Sequence, residues 1–105
     1  QESREIRLKI KADDFKAHGE AVIEQLKAFV VEQPGWSLVP NNYEGIRVAC
    51  ASQEEDGWFL LRLSLHDPVL PLNIESNVEG GVAKIVEKLR AFFREMDALD
   101  VPAFD

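Results

Sequence analysis

Residues 58–75 read WFLLRLSLHDPVLPLNIE. An apolar-rich run leads up to Ser64, a short polar interruption ends in Pro68, and a second apolar run continues to Glu75. Two runs of strand length around a proline-ended interruption predict a pair of adjacent strands with a loop between them. Successive side chains of a strand face opposite ways. Phe59, Leu61 and Leu63 therefore share one face, and Trp58, Leu60, Arg62 and Ser64 share the other. On the return, Leu70, Leu72 and Ile74 are opposed by Val69, Pro71, Asn73 and Glu75. Each strand has one core face and one partly solvated face.

The pattern brings Arg62 and Ser64 together at a strand end. A guanidinium fork matches phosphate oxygens bidentately, and the amides of a tight turn can form an anion-binding concavity. The same residues also read as ordinary structure: a surface arginine, a strand-ending serine and the turn pair Asp67-Pro68. Pattern alone leaves both readings open. Pro71 has no N–H for a ladder, so its nitrogen is expected at an unpaired or edge position.

Working outward, Ile46-Arg47-Val48-Ala49-Cys50 looks like a further strand, and residues 53–57, QEEDG, join it to Trp58. That acidic cluster lacks the alternating ligands and downstream Glu of an EF-hand loop. It reads as a solvated hairpin turn built on Asp56-Gly57. Trp36 to Val39 is a short apolar run closed by Pro40.

Two amphipathic stretches flank these strands. In residues 13–32, Phe15, Val22, Ile23, Leu26, Phe29 and Val30 recur at helical spacing, with Asp13-Asp14 as the N-terminal signal and Pro34-Gly35 as the stop. After Glu75, Val82, Ile85, Val86, Leu89, Phe92, Phe93 and Met96 repeat at three and four, with Ser76 or Asn77 as cap. Gly80-Gly81 there either lets a ligand approach the helix start or lets that start lie close to the sheet. Residues 1–11 hold the alternation Ile6-Arg7-Leu8-Lys9-Ile10 and read as a linker or extended arm, or a short strand. Residues 98–105 have no continuing period and read as a loosely ordered tail.

The sum is a single α+β domain over residues 1–105, an antiparallel sheet of about four strands with two helices packed on one face. The chain has 105 residues, 46% hydrophobic and 30% charged, which suits one soluble core. A net charge of −7 opposes sequence-independent nucleic-acid binding, and an anionic ligand then needs a locally positive pocket. The lone Cys50 excludes an internal disulfide and reads as a small buried residue. Only His18 and His66 are present, and nothing has a paired metal-ligand spacing. The charged start, QESREIRLKIKADD, is neither a signal peptide nor a membrane span. An intracellular, cytoplasmic setting without membrane or nucleic-acid partners is the expectation, although a targeting segment upstream would not be visible in these residues.

At this point residues 62–68, RLSLHDP, followed by an apolar strand, resemble the C-terminal phosphate-binding loop of the α-D-phosphohexomutases, the phosphoglucomutase and phosphomannomutase group. That family's pattern is roughly Arg-x-Ser-Asn/Gly-Thr-Glu-Pro. The stretch Asn42-Tyr43-Glu44-Gly45-Ile46-Arg47-Val48 resembles the family's Asp-Gly-Ile/Leu-Arg strand before the loop, and the strand entry Gly57-Trp58 is similar as well. The resemblance covers most of the chain and implies a TATA-binding-protein-like fold, the last of four domains. It implies Arg62 and Ser64 as ligands of a hexose phosphate, with Leu65 and His66 contributing mainly backbone amides. Leu65 stands where Asn or Gly is usual, His66 where Thr is usual, and Asp67 is shorter than the usual Glu. The phosphoserine and the Mg²⁺ site of such enzymes belong to preceding domains, so no catalytic residue, metal or cofactor is expected here. The alternative is a non-catalytic regulatory or interaction module on the same fold.

Overall fold

The computed structural model describes residues 1–40, 45–64, 66–96 and 99. In chain order these form β1 (Glu2–Lys9), α1 (Phe15–Val31), β2 (Trp36–Val39), β3 (Gly45–Cys50), β4 (Gly57–Arg62), β5 (Val69–Ser76) and α2 (Gly81–Phe93). The strands make one antiparallel sheet in the order β1-β5-β4-β3-β2. The α+β architecture matches the expectation, with a fifth strand added. That strand is β1, paired with β5 along its whole length from Glu2↔Ser76 to Lys9↔Val69. Over these residues the segment is an edge strand of the sheet.

Alternation decides which side the helices cover. Ile6, Leu8 and Ile10 of the first segment, Ile46, Val48 and Cys50 of β3, Phe59, Leu61 and Leu63, and Leu70, Leu72 and Ile74 are all buried. Against them lie Val22, Ile23, Leu26 and Val30 of α1 and Val82, Ile85, Val86, Leu89, Phe92 and Phe93 of α2. The two layers share an aromatic seam in which Phe29 meets Phe92 at 5.0 Å and Trp36 at 6.2 Å, and Trp36 meets Phe59 at 5.3 Å. Edge and tilted ring contacts of this kind add to the burial of their area, which is the main source of stability. Both helices lie on one face of the sheet.

Helix α1 starts as expected: the Asp14 carboxylate accepts from Ala17 N at 3.2 Å. Helix α2 does not. Its N-cap is Gly80, in a left-handed conformation at φ 79°. The free amides are taken by Glu2, whose two carboxylate oxygens accept from Gly80 N at 3.1 Å and Val82 N at 3.2 Å. Ser76 is engaged elsewhere: it donates to the Glu55 carbonyl and accepts from Val78 N. The cap comes from β1 because β1 lies beside β5, whose end leads into α2. Gly81 is required by closeness, since a Cβ there would stand 1.9 Å from Ser76 Oγ and 2.6 Å from the Glu55 carbonyl oxygen. Of the two readings of Gly80-Gly81, the structure has the close approach to the sheet, and a carboxylate of the chain itself fills the helix start.

The tail expected over residues 98–105 lies outside the described residues except for Leu99, which is buried and bridges to Ile10.

Candidate anion site at the end of β4

Strand β4 ends at Arg62, and Leu63 behind it is buried with Gly19 of α1 against it. The half-buried Arg62 and Ser64 flank Leu63, as alternation requires, and belong to the face of the sheet that carries no helix. Arg62 is not without a partner in the domain. Gly45 pairs with Arg62 at φ 151°, and a Cβ at Gly45 would come within 2.1 Å of the Leu61 carbonyl oxygen. Only glycine lets β3 begin so close to this strand end.

The loop that follows is held by main-chain bonds. Ser64 N donates to Val69 O at 3.3 Å, Val69 N to Asp67 O at 2.7 Å, and Ile10 N to Pro68 O at 2.7 Å. Ser64 Oγ accepts from Asp67 N at 3.3 Å, a side-chain turn that closes the loop on itself. His66, Asp67 and Pro68 are exposed. Leu65, the fourth predicted ligand, lies outside the described residues. Arg62 and Ser64 are thus brought to one strand end, with His66 two residues beyond Ser64 on the exposed loop.

Pro71 meets the first of the two alternatives expected of it, an unpaired nitrogen, and not the second. It sits in β5, an interior strand between β1 and β4, not at an edge. Its nitrogen nevertheless escapes the ladder. Val69 O accepts from Ser64 N on the β4 side, and two residues on Pro71 faces the same way. The β4–β5 pairing stops at Leu61↔Leu72, so Arg62 stands across from Pro71 at the first position where no N–H is offered.

Sequence reasoning missed what β1 brings. Because Arg7 pairs with Pro71 and Lys9 with Val69, both cations join the uncovered face at the loop end. With Arg47, which lies 4.8 Å over the Trp58 ring, and Arg62, the described strand residues of this face include four cations against Glu5 and Glu75, in a chain of net charge −7. The cationic alternation in residues 6–10 was the available signal. What it lacked was the identity of the partner strand.

A second polar cluster lies on the helix side. Glu55, placed by sequence in a solvated turn, is 2% exposed. Its Oε1 accepts from Trp36 Nε1 at 2.9 Å and Ser52 Oγ at 2.8 Å, and its Oε2 lies 3.0 Å from Lys88 Nζ. Burial pushes the carboxyl pKa up, but donation from Trp36, Lys88 and Ser52 outweighs it and holds the group below its ordinary value. The turn does use Asp56-Gly57, with Asp56 at φ 33°. The neighbouring Cys50 is buried as expected, and burial, then the Glu55 charge, pushes its thiol pKa up to about 12.

Among the described residues no group of three or more His, Cys, Asp or Glu is arranged to hold a metal, and no helix is long and apolar enough to cross a membrane. No protein-family model and no curated protein matches the chain.

Proposed function

We propose that this domain binds the phosphate group of a hexose phosphate and is the C-terminal domain of an α-D-phosphohexomutase of the phosphoglucomutase and phosphomannomutase type. The observation that carries the reading is the junction of Arg62 with Ser64 at a strand end that Pro71 releases from the ladder. Phosphoryl transfer asks the protein chiefly for positioning and charge neutralisation. Arg62 supplies the charge, Ser64 a hydroxyl, and Leu65 and His66 main-chain N–H groups. The concentration of cations on the uncovered face supports an anionic ligand where the chain as a whole would repel one.

The domain does not catalyse alone in this reading. Phosphoryl transfer between the 1- and 6-positions needs a phosphoserine and Mg²⁺, which this reading assigns to preceding domains of the same chain. Neither nucleic acid nor membrane is a partner, and the setting is the cytoplasm.

Titration of the isotopically labelled domain with glucose 1-phosphate tests the site. Weak, saturable amide shifts centred on residues 64–67 are the expected result, lost in Arg62→Ala. Shifts elsewhere that Arg62→Ala leaves unchanged overturn the reading.

A further inference from the structure

The register of the sheet points to a second guanidinium at the same site. Arg7 of β1 pairs with Pro71 from one side, and Arg62 of β4 stands across Pro71 from the other. All three occupy the face without helices, so Arg7, Pro71 and Arg62 form one row across three strands. The next row toward the loop is Lys9, Val69 and Ser64. Neighbouring strands lie about 4.8 Å apart, so the two arginine backbones stand about 10 Å apart, within reach of two long side chains converging on one anion. Pro71 is buried although no helix covers its face. Arg7 and Lys9 are exposed and take part in no ion pair among the described residues.

We infer that Arg7, with Lys9 behind it, joins Arg62 and Ser64 in a single cradle that selects a doubly charged phosphate over singly charged anions. The inference rests on the phosphate reading of Arg62 and Ser64 and extends it to a strand that the loop motif does not include. Two guanidinium groups set either side of an anion gain from its second charge, whereas one arginine and a hydroxyl discriminate less. The proline between them has a positional reason: it presents a short apolar floor and offers no N–H to close the ladder under the anion.

Titration of the labelled domain with inorganic phosphate at constant ionic strength, at a pH where the dianion dominates, separates the two ideas. Acetate serves as the singly charged control. In the wild-type protein the amides of Arg7 and Leu8 shift along the same saturation curve as those of Ser64 and His66, and acetate at equal concentration leaves both sets still. Arg7→Ala weakens phosphate roughly two- to fivefold, the range of one exposed charge contact, and Arg7→Lys recovers part of the loss. A dispersed amide spectrum in each variant establishes that it is folded. Silent β1 amides, with an Arg7→Ala dissociation constant equal to wild type while Arg62→Ala still weakens binding, overturn the two-arginine cradle and leave the Arg62 site standing. Phosphate shifts that neither variant alters overturn both. Equal response to acetate and phosphate overturns the selectivity.

Discussion

The indole Nε1 of Trp36 donates to Oε1 of Glu55 across 2.9 Å. That bond fastens the β3–β4 turn to the first residue of β2, while Lys88 draws the same carboxylate toward α2. A buried carboxylate held by two donors and an ammonium stabilises the domain only while it is ionised and all partners are present.

Glu55→Ala is expected to destabilise the domain by about 3 kcal/mol, the range for breaking a buried charged pair. Chemical denaturation at neutral pH measures it. Because the folded-state pKa lies below the ordinary 4.5, the carboxylate's contribution is complete above that value and is lost as pH falls through the folded-state pKa. The stability gap between wild type and Glu55→Gln should therefore narrow on acidification. A constant gap between neutral pH and strong acid would show that ionisation is irrelevant to this network.

Glu2→Ala removes the carboxylate that bridges Gly80 N and Val82 N and should cost about 1 kcal/mol, in the range of a helix cap. Hydrogen exchange locates the effect: the amides of Gly80 and Val82 lose protection first. Unchanged exchange at the start of α2 would refute the capping role.

Gly45→Ala should destabilise by about 2 kcal/mol or more, because a Cβ there meets main chain, which cannot swing aside as a side chain would. Thermal unfolding reads the loss. Amide shifts in this variant should concentrate at Leu61 and Arg62, where the strands approach.

Cys50 should resist thiol reagents at neutral pH, since it has no exposed surface and its pKa is pushed up to about 12. Labelling at the rate of global unfolding is the expected result. Rapid labelling under native conditions would mean that β3 opens locally.

The layout was legible wherever a strand or helix has one wet side. Phe59, Leu61 and Leu63 against Trp58, Leu60 and Arg62 sort by alternation alone, as do Leu26 and Val30 on the first helix. The proximity of Arg62 to Ser64 followed from the same rule. Contacts between segments far apart in sequence were not legible. Glu55 lies among residues that favour an exposed turn, and nothing local shows that Trp36 and Lys88 converge on it. The Ser76 cap was a sound local inference, displaced because Glu2, 78 residues from Gly80, reaches the amides instead. For Pro71 an unpaired or an edge nitrogen was expected because proline interrupts ladders; which of the two holds was not legible, since it depends on where the pairing of β4 ends.

The sheet's connectivity also dictates the order in which its parts can assemble. Strands β2 to β5 form a meander whose partners are near in sequence, whereas β1 must close a loop of about sixty residues to reach β5. Such closure carries the larger entropy cost and falls late among folding events. The row containing Arg7 is therefore complete only in a fully folded molecule, and an intermediate lacking β1 would present Arg62 without its counterpart across Pro71.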